Sequence, residues 1–176
     1  ESDRVSAKVT GYYNDISDFI FLAGTGTTDS GGNRIFNVSQ QDAETYGVDT
    51  TVDVTPVDWL NLRGTVGFVD GELADGDQVP LLPPLKVSGE VTFQQERIGE
   101  FQDAFFTVGV RYAGSQDSAG LKEPFGQFDA PPPPFGTAST DEYALVDISV
   151  GATIAATNTE ISIGVNNLFD TEHRDF

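Results

Sequence analysis

A chain of 176 residues is the size of one ordinary domain, and with neither Cys nor Met it has no disulfide framework, thiolate metal site or thiol nucleophile. Its 28 acidic and 9 basic residues leave a formal net charge of −19, which excludes nucleic acid as a partner, because phosphate binding needs clustered Lys and Arg. No apolar run approaches the roughly 20 residues of a membrane-spanning helix.

Period-two alternation dominates the chain and predicts an all-β protein of about seven strands, near 5–22, 35–54, 59–69, 84–95, 103–113, 142–155 and 159–168. In the first, Val5, Ala7, Val9, Gly11 and Tyr13 oppose Ser6, Lys8, Thr10 and Tyr12. In the second, Tyr46, Val48, Thr50, Val52 and Val54 oppose Gly47, Asp49, Thr51 and Asp53. The third sets Leu60, Leu62, Val66 and Phe68 against Asn61, Arg63 and Thr65, and the fourth sets Val87, Val91 and Phe93 against Lys86, Ser88, Glu90 and Thr92. Phe106, Val108, Val110 and Tyr112 then oppose Thr107 and Arg111, and Val146, Ile148 and Val150 oppose Asp147 and Ser149. In the last strand Ile161, Ile163 and Val165 oppose Glu160, Ser162 and Gly164.

Every charge in these windows falls on the polar side: Lys8, Asp49, Asp53, Arg63, Lys86, Glu90, Arg111, Asp147 and Glu160. An antiparallel sheet with one dry face is either half of a sandwich core or a wall of a barrel facing lipid. Three features favour lipid. Aromatics stand near strand ends, at Tyr46, Trp59, Phe68, Phe93, Tyr112 and Tyr143, as membrane-interface girdles require. The windows approach the length of a tilted membrane strand, about 9–11 residues. The connections alternate as well: 55–59, 94–103 and 156–160 are short, whereas 23–34, 69–84 and 113–142 are long and rich in Gly, Pro and Asp. Short periplasmic turns and long outer loops are the outer-membrane layout. The competing reading is a soluble extracellular β-sandwich acting as an adhesion or carbohydrate-binding module.

The ending "GVNNLFDTEHRDF" resembles the penultimate-strand signature of TonB-dependent outer-membrane receptors, and "GYYNDISDFIFL" is similar to a strand of the same family. Residues 37–93, from "NVSQQDAETYGVDTTVDV" through the loop "VPLLPPL", follow the family's strand, short turn, strand and Pro-rich loop in order. Two positions depart from the pattern: Asp49 stands where a glutamate is usual, and Leu82 where the loop usually carries a basic residue. The resemblance implies an antiparallel transmembrane β-barrel wall segment, the C-terminal portion of a larger barrel of 22 strands in the outer membrane of a Gram-negative bacterium. It implies a plug domain and a closing strand lying outside residues 1–176. It further implies TonB as a partner through the missing N-terminal region, outer-membrane lipid around the wall, and a small nutrient ligand such as a ferric siderophore, haem, cobalamin or a metal.

Candidate sites follow from charge and face. Asp49, Arg63, Lys86, Glu90, Arg111 and Asp147 are expected to face the lumen and to pair across strands or against the plug. The loop "DGELADGD" brings Asp70, Glu72, Asp75 and Asp77 together, and hard oxygen donors at that density can hold Ca²⁺. No other cofactor is expected. A single histidine, His173, cannot complete a Ser-His-Asp arrangement within the strands and reads as a solvated side chain beside Glu172, Arg174 and Asp175, so no catalytic residue is expected. The run "DAPPPPFG", 129–136, cannot join a sheet ladder and reads as a stiff outer loop.

Overall fold

The computed structural model describes residues 4–116 and 140–173, without the side chains of Gly24, Gly26 and Arg34; the Pro run at 129–136, Arg174 and Asp175 lie outside the described residues. Seven antiparallel strands form one sheet in chain order: β1 (Val5–Thr28), β2 (Arg34–Val57), β3 (Leu60–Leu73), β4 (Lys86–Ile98), β5 (Phe101–Ala113), β6 (Tyr143–Ile154) and β7 (Thr159–Val165). Every neighbour in sequence is a neighbour in space, the simplest up-and-down meander.

Register keeps the two faces separate across all seven strands. Val54, Leu62, Val91, Val108, Ile148 and Val165 lie directly opposite one another, one strand after the next. A slip of one residue anywhere would mix this row with the charged one beside it. No second sheet covers the apolar face among the described residues. Val9 is 68% exposed, Trp59 53% and Ile163 69%, values that a sandwich core would not leave.

Three connections differ from the sequence expectation. Residues 23–34 are not a long loop: β1 and β2 continue as a paired hairpin to a short turn at 29–33. Asp29 closes that turn by accepting from the Gly31 and Asn33 amides at 2.8 and 2.9 Å. The stretch 94–103 is likewise mostly strand, with only Gly99 and Glu100 turning. The connection expected at 69–84 starts later, because β3 runs to Leu73 and carries Asp70 and Glu72 within the ladder. Strand β7 ends at Val165 rather than 168.

The buried apolar cluster sits on the polar side of the sheet, at its long-loop end. Ile16 pairs with Ala43 and Phe19 with Gln41, so Ser17 and Asp18 together oppose Asp42. Asp18, at φ 60°, takes the bulge conformation and donates its amide to the Asp42 carboxylate at 3.0 Å. One extra residue reverses the alternation, so Phe19, Phe21 and Ala23 fall on the side of Ile16 and Ala43. Val79, from the connection after β3, completes the cluster with Phe21, Ala43 and Leu73, and its amide donates to the Gly71 carbonyl at 3.0 Å.

Candidate functional site: the charged face and its aromatic borders

The polar face is built in rows that cross the strands. One row runs Asp53, Arg63, Glu90, Gly109, Asp147, each directly opposite the next. Arg63 stands between two carboxylates and donates through Nε to Asp53 Oδ1 at 2.7 Å. Its register partner on the other side is Glu90. Gly109 leaves a gap after Glu90, and Arg111 from the next row reaches diagonally to fill it, donating to both Asp147 oxygens at 2.7 and 3.2 Å. A planar guanidinium facing a carboxylate in this two-pronged way is oriented as well as attracted.

Hydroxyl and amide pairs occupy the rows between. Thr65 and Ser88 hydroxyls meet at 2.6 Å, Thr92 and Thr107 at 2.9 Å, and Asn14 donates to Thr45 at 3.1 Å. Such pairs fix register and give each polar group a partner that does not depend on bulk water. Asp49 and Lys86 share a row through Gly67, while Asp49, Lys86 and Glu90 have no bonded partner among the described residues. The six predicted residues therefore divide. The structure joins Arg111 to Asp147 and brings Arg63 into line with Glu90, and it leaves Asp49 and Lys86 in one row without a contact.

Asp147 also organises the chain's exit from the sheet, a role that alternation alone did not predict. Its Oδ1 accepts the Asn167 amide at 2.8 Å, and Leu168 donates to the Val146 carbonyl at 2.7 Å. Asn167, at φ 52°, then grips Thr171 twice, its side-chain amide donating to the Thr171 carbonyl and its side-chain oxygen accepting the Thr171 amide. The Asn-Leu-Phe-Asp stretch is thereby a clip that fastens the end of β7 to β6. His173 lies against the Tyr143 ring, with centroids 4.7 Å apart, rather than simply in solvent.

Two carboxylates of the acidic loop accept hydrogen bonds from the protein itself. Asp70 accepts from Tyr46 at 3.2 Å and from the Gly71 amide at 2.8 Å, and Asp75 accepts from Gln41 at 3.1 Å. Among the described residues no three carboxylate or imidazole side chains converge to hold a metal ion.

Two aromatic borders bound the apolar face. At the long-loop end Tyr46 and Tyr112 donate their hydroxyls to Asp70 and Glu142, at 3.2 and 2.6 Å, keeping ring and oxygen on opposite sides of a polarity boundary. At the short-turn end Trp59, Phe93 and Phe106 stack in sequence, with centroids 6.2 and 6.4 Å apart. On β3, Asp70 marks the first border, opposite Tyr46, and Leu60 the second, opposite Phe93. Ten residues at about 3.3 Å each, tilted by about 40°, set the borders roughly 25 Å apart, the height of a barrel's lipid-facing band.

The family model described as "TonB dependent receptor-like, beta-barrel" matches residues 1–168. A search of curated protein sequences finds no match. Among solved structures, the chain is similar to one titled "Copper transporter OprC", with a TM-score of 0.74, 16% identity and coverage of 99% of this chain and 24% of that one. It is also similar to the ferripyoverdine receptor of the outer membrane of Pseudomonas aeruginosa bound to ferripyoverdine, with a TM-score of 0.63, 15% identity and coverage of 97% and 22%. A structure of the FpvAI–pyocin S2 complex gives 0.64, 15%, 98% and 22%. The chain thus spans about a quarter of the length of the structures it matches.

Proposed function

Because the chain belongs to the TonB-dependent receptor β-barrel family, we propose that it is one section of the wall of a larger outer-membrane receptor that takes up a scarce nutrient. The family is one of Gram-negative outer-membrane receptors and transporters rather than enzymes. In this reading the apolar face meets lipid, and the rows containing Asp49, Arg63, Lys86, Glu90, Arg111 and Asp147 face the lumen, where a plug domain would meet the charges left unpaired. The observation that carries it is the pair of aromatic borders, about 25 Å apart on an uncharged and uncovered face.

The wall itself performs no covalent chemistry. It closes the backbone hydrogen bonds that lipid cannot satisfy, and it holds the loops and lumen charges in fixed positions. Passage would be driven through TonB acting on segments beyond this chain. The ligand belongs to the class of ferric siderophores, haem, cobalamin or metal ions; ferripyoverdine and copper appear in the names of the structural neighbours, whose low identity supports the fold alone. Fractionation tests the location: the intact protein should sediment with outer membranes and need detergent for release. A protein found in the soluble fraction would overturn the reading. Growth of a deletion strain under iron, copper or cobalamin limitation, with and without TonB, identifies the ligand.

A further inference from the structure

The apolar face is not uniformly flat. At its short-turn end lies a hollow of about 620 Å³, a size typical of small-molecule sites. Its floor is made by Ala104, Ala152 and the backbone of Gly151, and its walls by full-sized side chains that include Trp59, Phe106, Ile161 and Ile163. The floor is low for a local reason. Between Gln102 and Phe105 the register with β6 shifts, Asp103 turns to φ 49°, and alanines rather than aliphatics stand on either side of the irregularity.

We propose that this hollow seats one acyl chain of a phospholipid from the periplasmic leaflet. The inference rests on the reading of the apolar face as lipid-contacting and goes beyond it, since an ordinary lipid-facing surface needs no cavity. Three observations select the occupant. The hollow opens on the same face as the uncharged row Val91–Val108–Ile148 and is continuous with it, so a chain can enter without crossing a polar barrier. Its lining is mostly hydrocarbon, the side-chain polar groups being those of Gln94, Gln95 and the Trp59 indole, which suits an aliphatic tail better than a sugar or peptide. It also lies at the end marked by Trp59 and the short turns, the end that faces the phospholipid leaflet in this layout.

The intact receptor, purified in detergent from outer membranes, provides the test, with retained phospholipid counted by native mass spectrometry. The wild type should keep one phospholipid through detergent exchange. Ala152→Phe and Ala104→Leu, which fill the floor from two strands, should each lower that retention roughly tenfold, the effect of displacing about two buried methylenes. Ala144→Phe, on the same face at the opposite end, should leave it unchanged. Equal retention in all four proteins, or equal loss in Ala144→Phe, overturns the proposal. Folding of each variant is read from heat-modifiable gel mobility, and Trp59 fluorescence supplies a second readout. Phospholipid brominated on its acyl chain should quench the Trp59 contribution, taken as the difference from Trp59→Phe, and lack of quenching also overturns it. Sedimentation with outer membranes is scored separately, so failure of the lipid site is distinguishable from failure of the receptor reading.

Discussion

Two glycines on the polar face can be told apart by what surrounds them, and substitution at each should behave differently. Gly47 lies opposite Tyr12, and Gly151 opposite Phe105. A Cβ on Gly47 would run into the Tyr12 ring and also lie 2.5 Å from the Phe68 carbonyl oxygen. A Cβ on Gly151 would meet the Phe105 ring at 2.6 and 2.7 Å, with the nearest backbone atom, the Ile161 carbonyl oxygen, at 3.0 Å. A side chain can rotate away, whereas a ladder carbonyl cannot move without breaking its own strand. Gly47→Ala and Gly151→Ala should therefore each destabilise the barrel by about 1–3 kcal/mol through overpacking. Adding Phe105→Ala should recover part of the Gly151→Ala loss, with a favourable coupling of about 0.5–3 kcal/mol. Adding Tyr12→Ala should recover little of the Gly47→Ala loss, because the Phe68 carbonyl remains in the way. Urea-unfolding midpoints of the intact receptor in lipid vesicles, followed by loss of the compact band on gels, are compared for the wild type, the two double variants and the four single variants, Phe105→Ala and Tyr12→Ala included. If Gly47→Ala unfolds at the wild-type midpoint, or Tyr12→Ala rescues it fully, the close approach of β1, β2 and β3 argued here is wrong.

Asp147→Ala removes the partner of both Arg111 and the Asn167 amide; the pair is partly solvated, so the loss should be only about 1 kcal/mol overall. Hydrogen exchange should localise it, with faster exchange at Asn167 and Leu168 and little change in β2 and β3. At the hairpin tip, the Asn33 side chain and the surrounding amides hold the Asp29 carboxyl below its ordinary range. A depressed carboxylate stabilises the folded turn above the unfolded value, and that contribution is lost as pH falls through the depressed one. Protection of the Gly31 and Asn33 amides, taken relative to the intrinsic exchange rate at each pH, should accordingly fall only on acidification below the usual carboxylate range, and Asp29→Asn should abolish that fall. Val79 is 2% exposed and pins the connection after β3 to the sheet, so Val79→Asp should admit protease within 74–85 while the wall stays intact.

The sheet was legible because alternation is a two-sided constraint. Leu62 and Val91 announce one face and Arg63 and Glu90 the other, so strand order and register follow from keeping unlike rows apart. What sequence reasoning missed involves residues whose local preference was overruled by a partner. Thr25, Thr27 and Thr28 favour strand, but Gly24 and Gly26 among them read as loop until Phe36, opposite Gly24, and Arg34, opposite Thr28, supply a ladder. The bulge at Ser17 and Asp18 was visible only as a break in alternation before Phe19. For the six charged residues, alternation gave the shared face but not the pairing, because Arg111 reaches diagonally past Gly109. The Asn167 clip had its signal in the asparagine itself, a residue that tolerates positive φ and bonds its own backbone neighbours.

The charge distribution unites these features. Between the two aromatic borders the polar face holds Lys8, Arg63, Lys86 and Arg111 against Asp49, Asp53, Glu90 and Asp147, four cations and four anions. Among the described residues most of the other acids, such as Asp15, Asp42, Glu44, Asp75, Asp77 and Glu142, stand outside that span, at the strand ends and connections. A low-dielectric wall makes each unbalanced charge expensive, whereas a solvated loop does not. A sequence shaped only for solubility would scatter its acids along every polar strand position. Neutrality confined to a band about 25 Å high, with the surplus beyond both borders, is the pattern expected when the opposite face of the same strands lies in hydrocarbon.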